Sequence, residues 1–299
     1  MIKSTAHRKK FPAALWKPRL CLLLAALLLI SAGCTGCADK NFESYRPITD
    51  INNLEGRKIG INLGWSADYL LTGRDDMLLY RYDTTADMLV ALCYKKLDAI
   101  ALDCNTAAYV LAYTTGLQKV EPDLFTDSYL GLFAEDCGEA CEEFNRWFAD
   151  YQTTEEYANF ADRYYNFDGL NYEWPFEEEI TEGTPLRMAT YSDAYPCAYY
   201  DLHLGTVGFE VEIFYAFCRD CGYKPVITPT TEDDVYMGIL HGMYDCHFGA
   251  YSSLYAFEAE KYGYHLSDPY VELPIVFVEI ADGDNLSISH AVDILDEDE

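Results

Sequence analysis

One local plan is written twice in this chain, and any fold must give both copies a place. In the first copy Thr84-Thr85-Ala86-Asp87 opens the apolar run Met88 to Leu92, which ends at Lys95-Lys96. Asp98 follows Thr84 by 14 residues, inside the run Leu97-Asp98-Ala99-Ile100-Ala101-Leu102. In the second copy Thr230-Thr231-Glu232-Asp233 opens a similar segment, and Asp245 follows Thr230 by 15 residues. Thr-x-x-Asp before an apolar run has capping-box character, so each copy predicts a helix followed by a strand. Each copy also has a strand and turn ahead of it. Lys58 to Leu63 reads as a short buried strand, Gly64-Trp65-Ser66 as a turn, and Ala67 to Leu71 as a helix start. Leu186 to Thr190 reads as a strand followed by the loop Ser192 to Tyr199, and Val207-Gly208-Phe209 leads into a helix with Ile213, Phe214 and Phe217 on one face. Strands alternating with helices at this spacing imply βαβ units, hence an α/β fold with a mostly parallel sheet flanked by helices in each of two lobes.

Between the copies, Phe144 to Tyr165 is an aromatic-rich helical stretch, and Asn166 to Gly183 is an acidic, turn-rich linker whose Glu177-Glu178-Glu179 reads as a solvated run. Hydrophobic residues make up 50% and aromatics 15% of the 299 residues, which is enough to fill two cores and excludes a disordered chain.

Residues 1–33 hold six basic groups and no acidic one, so the other 266 residues carry 15 basic and 50 acidic groups, a net of −35. A surface that negative repels phosphate backbones, which argues against nucleic acid as a partner. Leu20 to Ile30 is an apolar run of eleven, short of the roughly 20 residues a membrane-spanning helix needs but suited to a secretory signal. Ile30-Ser31-Ala32-Gly33-Cys34 resembles the lipobox of bacterial lipoproteins, with Ser31 where that motif usually has Leu. The resemblance implies lipidation at Cys34; Cys37 is a weaker candidate, and a plain signal peptide or short anchor is the alternative. All these readings place the bulk of the chain outside the cytoplasm. Setting aside Cys21 and Cys34 leaves nine of eleven cysteines, an odd number. Cys218-x2-Cys221 falls late in a helix that stops at Gly222, whereas a redox CxxC normally opens one, so inert thiols or a local disulfide are expected there. Cys137 and Cys141 form the other close pair.

Six segments carry a resemblance to bacterial extracellular solute-binding proteins of the polar amino-acid type, family 3. "ITDINNLEGRKIGINLG" (48–64) and "RYDTTADMLVALCYKKLDAIALD" (81–103) resemble parts of that family's smaller lobe. "FNRWFADYQTTEEYANFADRYYN" (144–166) resembles its closing helices. "LRMATYSDAYPCAYY" (186–200), "TVGFEVEIFYAFCRDCGYKP" (206–225) and "LSDPYVELPIVFV" (266–278) resemble its opening large-lobe segments. The resemblance implies a two-lobed periplasmic-binding-protein-like fold of type 2. The small-lobe segment comes first here, so the lobe order is permuted; a remnant of tandem domains is the other explanation. The domains expected are a signal peptide (1–33), a tether (34–52), a small lobe (53–128), a large lobe (129–282) with closing helices 138–166 and linker 167–183, and an acidic tail (283–299).

In this family the lobes close on an amino acid and no covalent step occurs. The implied role is a monomeric binding protein, not an enzyme, with no cofactor or metal, that captures an amine-bearing solute and delivers it to the membrane permease of an ABC transporter. A sensor lipoprotein signalling to a membrane receptor is the alternative, and a dehydratase-like enzyme on the same fold a more distant one. Asp103 matches the family aspartate that meets the ligand ammonium; a helix-capping aspartate ahead of Asn105-Thr106 is the other reading. Trp65 and Ser66 occupy the family's small-lobe turn, with Trp65 where small hydroxyl residues are usual. Tyr195 and Tyr199 lie in the loop that supplies an aromatic wall, or else in the core. Ser252 matches a ligand-binding hydroxyl. The family then has an arginine for the ligand carboxylate, and the segment Ser253 to Lys261 has none; Glu258 and Glu260 stand nearby, and Lys261 offers a point charge without a planar grip. This departure favours an amine or cation over a standard amino acid. Asp245-Cys246-His247 with His241 is the densest potential metal cluster, read here as ordinary packing.

Overall fold

The structure is a computed structural model that describes residues 47–281 and 287–288. The leader, Cys34 and nearly all of the acidic tail lie outside the described residues. The chain runs through Arg57–Asn62 (β1), Ser66–Leu71 (α1), Met77–Tyr82 (β2), Thr85–Cys93 (α2), Ala99–Asp103 (β3), Cys104–Tyr113 (α3), Thr114–Thr115 (β4) and the long strand Leu117–Phe133 (β5). Two helices follow, Gly138–Tyr151 (α4) and Glu155–Tyr165 (α5). Beyond the linker come Thr184–Tyr191 (β6), a small antiparallel sheet of Asp193–Ala194 (β7), Ala198–Asp201 (β8) and Gly205–Val207 (β9), then Phe209–Cys221 (α6). Tyr223–Thr230 (β10), Glu232–Leu240 (α7), Cys246–Ser252 (β11), Ala256–Tyr262 (α8), His265–Leu266 (β12) and Val271–Ile280 (β13) complete the main body.

Nine of these strands make one mixed sheet in the order β10-β6-β11-β5-β13-β3-β1-β2, with β12 also on β5. The parallel sets expected from the sequence form its two ends, β1 with β2 and β3, and β6 with β10 and β11. The middle differs from the expectation: β5 and β13 run antiparallel to each other, to β11 and to β3. Strand β13, assigned from the sequence to the large lobe, pairs along Ile275–Glu279 with β3 of the first half, and β5 runs across the expected 128/129 boundary.

Each end of the sheet is covered on both faces. Ile59, Ile61 and Leu71 pack on one side of the first half and Met88, Leu92 and Val110 on the other. In the second half Phe144, Phe214, Phe217 and Phe248 form one core, and Val235, Ile239 and Leu132 form the other. Each fully buried Phe contributes about 1.5–3 kcal/mol, so these rings dominate the second half's stability. The repeated plan is visible in hydrogen bonds. Thr84 caps α2 by accepting from the Asp87 amide, and Asp98 Oδ2 accepts from the Lys58 amide at 2.7 Å. In the second copy the residue at the cap position is Thr231, one residue later than the sequence echo placed it; its side chain makes no capping bond but donates to Asp234 Oδ2 at 3.0 Å, and Asp245 Oδ2 accepts from the Arg187 amide at 2.7 Å. Measured from Thr231 the two copies have the same spacing to their aspartates.

Helices α4 and α5 are separate, with Thr154 accepting from the Tyr157 amide to start the second. The linker is not a free strap: Tyr172, Trp174, Phe176 and Ile180 pack on the second core, and Tyr215 Oη joins Glu178 O and the Ile180 amide at 3.0 and 2.9 Å. Glu177, Glu178 and Glu179 are exposed, as the sequence suggested. Gly222 ends α6 at φ +77°, the C-terminal role its position predicted, and burial pushes Cys221 up to about 11 and Cys218 still higher. A thiolate is disfavoured there, and the eight cysteines among the described residues are all free thiols.

Candidate ligand-binding cavity

The parallel strands of both halves end toward one another, and a cavity lies there, where open α/β sheets place ligands. From the first half it is lined by Gly64, Trp65 and Ser66 after β1, and by Asp103 and Thr106 at the β3–α3 junction. From the second half it takes Tyr191 at the end of β6, Tyr236 of α7, and Tyr251 and Ser252 at the end of β11. Tyr129 of β5 and Tyr255 complete its aromatic wall. The space open to the centre of a water-sized sphere is ≈ 60 Å³, several times the roughly 10–15 Å³ that one water needs. A compact solute fits.

Asp103 both lines the cavity and caps α3, its Oδ1 accepting from the Asn105 and Thr106 amides at 3.1 and 2.9 Å. Burial raises its carboxyl above the usual carboxylate range, with those hydrogen bonds pulling the other way. The capping role is thus present, and the same residue is part of the cavity lining. Ser66 and Ser252 come from opposite halves, and both donate to Asp127 of β5, Ser252 at 2.9 Å. Burial raises Asp127 as well. Tyr255 Oη donates to Trp65 O at 3.3 Å, and its ring meets Tyr69 edge-on at 5.4 Å between centroids. Two bridges thus join the halves beside the cavity, the first of them buried.

Trp65 is half-buried and in the lining. Tyr195 and Tyr199 are placed elsewhere: they pack on each other at 4.7 Å, and Tyr195 on Tyr109 at 4.6 Å, outside this cavity's lining. Tyr191 and Tyr236 are among the aromatic residues that line it. Lys261 is exposed and reaches Tyr262, its Nζ 3.0 Å from the hydroxyl, so it is not in the lining. His247 lies behind Tyr191 with ring centroids 5.1 Å apart, its Nδ1 2.9 Å from Ala189 O. Burial holds it down to about 4, so it is neutral near pH 7. Among the described residues no group of His, Cys, Asp and Glu is arranged to hold a metal ion.

Sequence reasoning did not single out Asp127, Tyr129, Tyr191, Tyr236, Tyr251 or Tyr255. Three of them carried a usable signal, since Tyr191, Tyr251 and Tyr255 fall at or just past the ends of strands β6 and β11. Between His247 and Tyr251 the register of β11 on β5 shifts, and Ala250 takes φ +59°, a conformation that costs an L residue about 1–2 kcal/mol. This bulge turns Tyr251 and Ser252 toward the cavity wall.

Residues 186–285 match the model of the family of bacterial extracellular solute-binding proteins, family 3. No curated protein sequence matches the chain. Among solved structures, the ligand-binding component of an ABC-type import system from Staphylococcus aureus, with zinc bound, is 9% identical with a TM-score of 0.43, covering 76% of this chain and 66% of that one. An ABC transporter structure from Parabacteroides distasonis is 12% identical with a TM-score of 0.42, covering 75% of this chain and 66% of that one. The GluR0 ligand-binding core in complex with L-glutamate is 10% identical with a TM-score of 0.39, covering 76% and 86%. The chain thus spans about two thirds of the length of the first two. Among the described residues no helix is long and apolar enough to cross a membrane.

Proposed function

We propose that this chain, whose residues 186–285 match solute-binding proteins of family 3, is an extracytoplasmic binding protein that closes two lobes around a small amine-bearing solute and delivers it to the permease of an ABC transporter. The observation that carries this reading is the cavity itself: both halves line it, so access depends on their separation. Asp103 is the group for the ammonium, and Trp65, Ser66 and Ser252 shape the space around it. Binding and release then require breaking and remaking the Ser66–Asp127–Ser252 bridge, with no covalent step. Within this reading Cys34 is the lipid anchor, the protein acts as a monomer, and the element order is a circular permutation. What supports the permuted order is that each half supplies three parallel strands and takes its next strand from the other half.

The test is a thermal-shift panel of amines and amino acids on the chain without its leader. At least one amine should raise the midpoint, and Asp103→Asn should remove that rise, since Asn still caps a helix but carries no charge. A panel in which no amine or amino acid moves the midpoint sinks the reading.

A further inference from the structure

The chemistry of the cavity narrows the class of solute. Six aromatic residues, Trp65, Tyr129, Tyr191, Tyr236, Tyr251 and Tyr255, line it together with one carboxylate, Asp103, and no basic side chain. An α-amino acid would bring a carboxylate with no cation to meet it, and it would stand close to the charges of Asp103 and Asp127. A primary ammonium would bring N–H donors that need acceptors. The polar groups of the wall are largely engaged with one another. Ser66 and Ser252 donate to Asp127, and Ser252 Oγ also accepts from the Leu254 amide at 3.1 Å. Tyr251 Oη donates to Tyr255 O at 3.0 Å, Tyr255 Oη to Trp65 O at 3.3 Å, and Asp103 Oδ1 takes two backbone amides. What remains on offer is aromatic surface and negative potential.

We propose that the cavity selects a compact, fully methylated ammonium cation that carries no carboxylate, held by cation–π contact with the aromatic wall and by the charge of Asp103. Such a cation has no N–H to satisfy, and its spread positive charge is attracted to ring faces, best to Trp. The acidic remainder of the chain, net −35 outside residues 1–33, raises its concentration at the entrance. The proposal rests on the binding reading above and narrows it.

The experiment is isothermal titration calorimetry of the chain without its leader against tetramethylammonium, methylammonium, choline and glycine betaine. Tetramethylammonium and choline should bind at least about tenfold more tightly than methylammonium, as one or two cation–π contacts would provide. Glycine betaine, which keeps the methyl groups but adds a carboxylate, should bind more weakly than choline. Trp65→Leu should weaken tetramethylammonium about tenfold, whereas Trp65→Phe, which restores an aromatic ring, should recover most of that loss. The melting curve of each variant checks that the fold is intact. Tighter binding of methylammonium than of tetramethylammonium would overturn the inference and leave the amine-binding role standing. Equal binding of both overturns it too. No binding by any amine overturns both.

Discussion

Glu210 lies in the first turn of α6, fully buried, with the Tyr270 hydroxyl donating to its Oε2. Burial is the largest influence on this carboxyl and raises it from an ordinary value of 4.5 to about 8, and the charge of Asp103 adds to the rise. Between those two values the folded protein keeps a proton that the unfolded chain has released, so stability must fall as pH climbs through that window. The expected result is that wild type loses stability relative to Glu210→Gln between about pH 4.5 and 8, measured as the difference in urea midpoints. A difference that stays flat or rises with pH contradicts this assignment. At the same scale, Asp103 and Ser252 show what one sequence can and cannot reveal. They hold the same place in the two copies of the repeated plan: each ends the third strand of its half and caps the turn that follows. Asp103 was singled out through the resemblance, and its capping role was readable because a run of strand residues leads directly into Asn105-Thr106. Ser252 was found through the resemblance, since the Ala250 bulge breaks the local pattern before it. The partner that joins Ser66 to Ser252, Asp127, lay beyond reach, because its role depends on contacts 61 and 125 residues away in sequence.

At the scale of elements, the closing helix α5 is fixed to α6 by two ion pairs, the half-exposed Arg219–Glu156 and the more deeply buried Arg163–Glu212. Arg163 grips Glu212 through both guanidinium Nη atoms, Nη1 at 3.1 Å, and the Glu212 side chain is 3% exposed. Burial raises Glu212, and Arg163 works against that rise. Removing the guanidinium leaves a buried carboxylate without its cation, which typically costs 3–5 kcal/mol. Because Arg163 is one-third exposed, the lower end applies, and Arg163→Met is expected to destabilise the protein by about 3 kcal/mol in chemical unfolding. A loss below about 1 kcal/mol would show that Arg163 adds little to the aromatic packing and the Arg219–Glu156 pair that also join the two helices. The helices and the strands of both repeated copies were legible from period and caps. The strands β2, β10 and β5 were not, because they carry mixed polar and apolar residues whose burial depends on which neighbours the sheet provides. Along the linker the half-buried Tyr172, Trp174 and Phe176 alternate with exposed residues. That alternation marks a docked segment more clearly than the acidic composition marks a free one.

For the whole molecule the decisive elements are β5 and β13. Each crosses the middle of the sheet, and β13 sits between β3 and β5 with Ile275, Val276, Phe277, Val278 and Ile280 all buried. Five such side chains contribute roughly 7–15 kcal/mol, as much as the entire net stability of an ordinary domain. A chain ending at residue 183, which keeps all of the first half's own strands but lacks β13, is therefore expected to show no cooperative thermal unfolding by circular dichroism. A sharp transition in that fragment would show that the first half folds by itself. The expectation of two separately sheeted lobes missed this sharing because periodicity reports which face of a strand is buried, not which strand lies beside it.

The lending of strands across the sheet has a consequence for heredity. A gene segment encoding either half alone specifies a sheet with a missing member, so it cannot be duplicated, exchanged or lost without its counterpart. The two copies of the plan can differ in sequence, as Asp103 and Ser252 do, but each needs the strand that the other half lends.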